Sequence, residues 1–145
     1  MRHSTLTTAL AAGALAAFAA TTPVRAHHAF AAEFDAGQPV TLRGAVTKVE
    51  WINPHTWIHL DVKDSSGKVI EWMIEGGTPN TLLRRGVDKN SLPAGTEIVV
   101  EGYRAKNGTN RANGRDLTLP NGRKLFLGSS GTGAPADGRD ASEAK

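Results

Sequence analysis

The sequence predicts a small all-β protein, and three observations carry that prediction. Apolar residues recur with a period of two in short runs, as in Ile58, Leu60 and Val62, then Ile70, Trp72 and Ile74. Turn-forming clusters, Asp64-Ser65-Ser66-Gly67 and Pro93-Ala94-Gly95, separate the runs. One short stretch, residues 78–86, carries helix start and stop signals.

The first strand is read over residues 40–51, with Val40, Leu42 and Val46 on one face. From Val49 the apolar parity flips to Val49 and Trp51, which predicts a bulge or sharp coil near Thr47-Lys48. Gly44 is where a barrel strand can bend. The second strand covers His55 to Val62. Its apolar residues face one way, and His55, Trp57, His59 and Asp61 face the other. A hairpin turn at residues 64–67 leads into a third strand, Val69–Glu75. Thr78 then suits a helix cap, Pro79 the first helical position and Gly86 the left-handed exit. Arg84 and Arg85 sit at the negative end of that helix dipole. Residues 96–105 form a fourth strand, and Leu117-Thr118-Leu119 with Leu125-Phe126-Leu127, turned by Pro120-Asn121-Gly122, complete the set. Three strands, a short helix and two strands are the order of a five-stranded Greek-key barrel of the OB type, with one short helix between strands 3 and 4. An open β-sandwich is the alternative.

The N-terminus predicts the compartment. Met1-Arg2-His3 is a short positive start, residues 5–20 are apolar and uncharged, and Val24-Arg25-Ala26 places small residues for cleavage before His27. The organisation expected is a signal peptide over 1–26, a lead-in over 27–39, a barrel domain over 40–127 and a flexible tail over 128–145. The tail is too poor in apolar residues to order itself. The expected address is periplasmic or secreted, with no stable membrane anchor after cleavage. Of 145 residues, 17 are basic and 14 acidic. The signal carries Arg2 and Arg25 and no acid, so the mature chain is left at +1. That balance argues against nucleic acid as a partner. With no cysteine there are neither disulfides nor thiolate metal sites, and the core must hold the fold alone.

The histidines carry the chemistry. Cleavage after Ala26 makes His27 the first residue, and a terminal His can chelate a metal through its α-amine and its own Nδ1. A second imidazole from the fold completes a T-shaped three-nitrogen site suited to Cu(II). At neutral pH both nitrogen types deprotonate at little cost. His55 and His59 are separated by roughly 13 Å along a regular strand, so at most one joins the terminus. His55, after Asn53-Pro54 at a strand edge, is the preferred one, with His28 and His59 as auxiliaries. The plain reading of such histidines is solvation, or stacking on Trp57. Trp72 falls on the apolar parity and reads as core. Trp51, Asn53, Trp57 and Tyr103 could form a face for a small ligand or an envelope protein. Glu33 and Asp35, or Glu71 and Glu75, could pair as carboxylates, but a solvated face is their default reading. No catalytic constellation is seen, so no enzyme is expected.

His27-His28-Ala29-Phe30, Trp51-Ile52-Asn53-Pro54-His55, Asn80 to Gly86 with its Arg-Arg-Gly, Gly102-Tyr103-Arg104-Ala105-Lys106 and the closing Gly-Arg-Lys-Leu-Phe together resemble a bacterial family. Its members are small exported proteins known only as a domain of unknown function. The resemblance spans about residues 27–135 and implies an envelope or periplasmic location. It implies no activity and no catalytic residues. Many relatives read Arg-Arg-Gly-Trp where this chain has Val87, which alters one aromatic contact and leaves the histidines untouched. Two functions follow. One is a copper-binding protein using His27 and His55; the other is a metal-free interaction module.

Overall fold

The computed structural model describes residues 30–128. Six strands and a helix follow in order: β1 (Phe34–Glu50), β2 (Trp57–Lys63), β3 (Val69–Glu75), α1 (Pro79–Arg84), β4 (Glu97–Ala105), β5 (Arg111–Thr118) and β6 (Lys124–Phe126). β1 pairs antiparallel with both β2 and β4, β2 with β3, and β4 with β5. A parallel seam of three pairs, Met73–Arg111, Ile74–Ala112 and Glu75–Asn113, joins β3 to β5 and closes the ring. The five-stranded barrel with its helix between the third and fourth strands is therefore what the chain forms, and the open sandwich is excluded. β6 adds a short sixth strand on the outer edge of β5.

Local chemistry accounts for these elements. In β1 the ladder with β2 slips between Val46 and Lys48, where the apolar parity flips. The slip lets one strand bury Val46 in the core and still pack Val49 against it. At Gly44 the strands approach closely: a Cβ there would lie 2.2 Å from the Asp61 carbonyl oxygen. Thr78 caps α1 by accepting from the Thr81 N–H at 3.2 Å, Pro79 opens the helix, and Gly86 leaves it at φ +79°. Leu82 and Val87 from this segment close one end of the barrel with Leu92 and Leu127.

β1 begins earlier than residue 40. Residues 34–39, read as lead-in because Gly37 and Pro39 break any alternation, extend the strand and pair Phe34 with Ala105 and Pro39 with Tyr103. The irregularity between those pairs is organised by Asp35, whose carboxylate accepts from the Gly37 N–H and the Gln38 amide, each at 2.9 Å. Helical residues 30–33 precede it. Phe30 and Phe34 form a second, smaller cluster with Tyr103 and Ala105 on the outer wall.

Candidate functional site

The barrel puts a row of side chains on its outer wall, because directly paired residues face the same side of a sheet. Trp57 pairs with Glu75, Glu75 with Asn113, and Asn113 with Tyr103. Ile58, Ile74 and Ala112 alternate with that row and fill the interior, all fully buried. An outward-facing carboxylate is ordinarily solvated, yet Glu75 is 7% exposed and Asn113 is 3%. The solvated reading of Glu75 is thus overturned.

Three groups surround the Glu75 carboxylate. Asn113 donates its Nδ2–H to Glu75 Oε1 at 3.2 Å. His55 Nδ1 stands 3.7 Å from the same oxygen and 3.3 Å from the Gly76 carbonyl. The Arg111 guanidinium lies 4.7 Å over the Trp57 ring and 3.7 Å from Glu33. Burial pushes the Glu75 carboxyl above its ordinary value; the His55 charge opposes the rise and Glu33 adds to it. It is the ion pair with Arg111, not its repulsion of Glu75, by which Glu33 ties the segment that follows residues 27–29 to this wall. Lys106 fastens the same segment, its N–H donating to the Glu33 carbonyl at 2.9 Å and its ammonium to the Ala31 carbonyl.

The two histidines of β2 and its approach are used differently. His55 precedes the strand, beside Thr56, which continues the ladder through its N–H to Gly77 and its carbonyl to Gly76. Its side chain is 30% exposed. Nδ1 faces only acceptors and so carries the proton, while Nε2 has no hydrogen-bond partner among the described residues. His59 is instead clamped between two strands, with Nδ1 2.7 Å from Glu71 and Nε2 3.0 Å from Glu50. Both of its nitrogens point at carboxylate oxygens, so neither presents a lone pair outward. Lys48 first, and then His59, hold the Glu50 carboxyl below its ordinary value.

Of the remaining residues singled out in the sequence, Trp51 packs half-buried against the main core. Asn53 is exposed in the loop 51–56. Trp57 lies under Arg111, and Tyr103 is buried edge-on beneath Phe30 at 5.7 Å. His55, Trp57 and Tyr103 thus share one wall, with Tyr103 covered, whereas Trp51, half-buried, packs against the core from the loop 51–56. His27 and His28 lie outside the described residues. Among the described residues no three His, Asp or Glu side chains gather as a metal site, and no helix is long and apolar enough to cross a membrane.

Sequence reasoning missed Arg111 and Asn113. Arg111-Ala112-Asn113-Gly114 carries no strand signal, since it is polar, contains glycine and shows no apolar alternation. The only signal available was the small size of Ala112 and Gly114, which suits a tightly closed seam. A Cβ on Gly114 would meet Leu127 at 2.5 Å and Ile74 at 2.8 Å.

The chain matches a family of unknown function, DUF6152, over residues 12–114. No curated protein and no solved structure matches it. The matched span holds His55, Glu75, Arg111 and Asn113 together, so the outer-wall site falls within the part that defines the family. A small β-barrel built around that wall is what the chain contributes to it, and the chain belongs to this family of unknown function.

Proposed function

We propose that the protein is exported by cleavage of residues 1–26 and binds copper in the envelope. The ligands are the α-amine and ring of His27 and the ring of His55, with His28 as an auxiliary. One observation carries the reading: His55 Nδ1 is held by the Gly76 carbonyl beside a buried carboxylate, while Nε2 has no hydrogen-bond partner among the described residues. Metal-binding imidazoles are characteristically arranged this way, one nitrogen donating to a carbonyl or carboxylate so that the other keeps its lone pair.

Two further features support it. His59, the other body histidine, spends both nitrogens on Glu50 and Glu71 and so leaves His55 as the available imidazole. Residues 30–33 dock on the same wall through Phe30, Glu33 and Lys106. From Phe30 back to His27, three residues span up to roughly 10 Å. An all-nitrogen donor set of amine and imidazole favours Cu(II) among the common divalent ions. The role that follows is carriage or buffering of the metal.

The test is a Cu(II) titration of protein matured through its own export route, followed by electron paramagnetic resonance and intact mass. The expected result is a mass beginning at His27 and a one-to-one, nitrogen-ligated signal that His55→Ala and His27→Ala each weaken. A mature end elsewhere, or copper bound equally well by both variants, overturns the reading. The metal-free interaction module then stands in its place, with the loop of Trp51, exposed Ile52 and Asn53 as its first candidate surface.

A further inference from the structure

We infer that Glu75, braced by Asn113 across the β3–β5 seam, is the positioning residue that holds the His55 ring with Nδ1–H inward and the Nε2 lone pair outward.

The geometry is built rather than incidental. A carboxylate on an outer barrel wall has no packing reason to be buried, and burial is unfavourable unless something is gained from it. Here the seam supplies the brace. Glu75 and Asn113 are partners in the parallel register, and the amide of Asn113 fixes Oε1 at 3.2 Å. The same Oε1 stands 3.7 Å from His55 Nδ1, and the Gly76 carbonyl, closer at 3.3 Å, is supplied by the next residue in the chain. One short piece of backbone, residues 75–76, thus presents two acceptors to one ring nitrogen. The Arg111 charge also favours the ionised carboxylate, while its guanidinium is stacked on Trp57 and stands 3.7 Å from Glu33. A negative charge behind the inward N–H makes the outward nitrogen a stronger donor and favours a dipositive ligand.

The ring orientation stands by itself; its consequence for copper rests on the proposed function. Two measurements keep the two apart. In the metal-free mature protein, nitrogen-15 NMR of the His55 ring reads the tautomer. Wild type is expected in the Nδ1–H form, and Glu75→Gln is expected to admit a measurable share of the Nε2–H form. An Nε2–H ring in wild type, or a distribution indifferent to Glu75→Gln, overturns the inference whatever copper does. In the copper-loaded protein, Glu75→Gln is expected to weaken Cu(II) binding by tenfold or more. It is also expected to raise the Cu(II)/Cu(I) potential, with the one-to-one stoichiometry kept. If wild type binds through His55 and the variant matches it in affinity and potential, the role of Glu75 fails while copper binding stands. If wild type binds no copper through His55 yet the tautomer responds to Glu75→Gln, the proposed function fails and the positioning role is upheld.

Discussion

Phe30→Ala tests how the N-terminal segment is held to the outer wall. The ring is 7% exposed, 5.8 Å from Phe34 and edge-on to Tyr103 at 5.7 Å. Burying a phenyl contributes about 1.5–3 kcal/mol, and an aromatic pair roughly 0.5–1.5 kcal/mol more. The other holds on residues 30–33 are the two Lys106 hydrogen bonds and the Glu33–Arg111 pair at 3.7 Å. Fixing each backbone residue costs about 1–2 kcal/mol, so those polar contacts alone do not keep four residues in place. Loss of about 3 kcal/mol shifts the docked-to-released ratio by roughly a hundredfold. Hydrogen exchange at the Lys106 amide reads this ratio, because its acceptor is the Glu33 carbonyl. That amide is expected to exchange about a hundred times faster in the variant, while the amides of Ile58 and Leu60 in the core change little. A Lys106 amide that keeps its wild-type rate refutes the view that the phenyl fastens the segment.

Three further outcomes are expected. Gly44→Ala places a methyl 2.2 Å from the Asp61 carbonyl and forces β1 and β2 apart. A cost of about 1–3 kcal/mol, offset by about 0.4–1 kcal/mol from the stiffer unfolded chain, should lower Tm by several degrees; an unchanged melt would contradict the contact. Thr56 is fully buried with a hydroxyl that has no hydrogen-bond partner among the described residues, so Thr56→Val should stabilise the fold by about 1 kcal/mol in denaturant titrations. Loss of stability there would mean the hydroxyl is satisfied. Glu75→Gln should stabilise the metal-free protein at neutral pH. The folded state raises the Glu75 value above the unfolded one, so stability is lost as pH rises through the folded value. The gap between variant and wild type should therefore close as pH falls toward the ordinary glutamate range, and a gap independent of pH would refute the burial account.

Much of the barrel was legible in residue pattern. β2 and β3 alternate with a period of two because one face is core, and the parity break at Thr47-Lys48 marks the slip that coils β1. The caps of α1 are local chemistry, so Thr78, Pro79 and Gly86 announce them. The site was legible only in part. His55 stands out as a histidine beside a strand edge, but its support comes from β3 and β5, whose pairing is non-local. Nothing adjacent in sequence ties Glu75 to Asn113. The polar run Arg111-Ala112-Asn113 shows no strand pattern because its hydrogen bonds and its burial are supplied by strands elsewhere in the chain. The early start of β1 was hidden for a similar reason: Gly37 and Pro39 sit at an irregularity that Asp35 organises with its own side chain.

The three-pair seam between β3 and β5 also governs when the molecule can become itself. Residues 73–75 meet partners at 111–113, so the ring cannot shut until nearly all of the described chain is available. Before then β1, β2 and β3 form only an open meander whose apolar face lacks its lid, and closing so long a loop is slow. On the proposed export reading, a chain threaded from its N-terminus is thereby kept from folding prematurely: the staple that locks the barrel is among the last pieces to emerge.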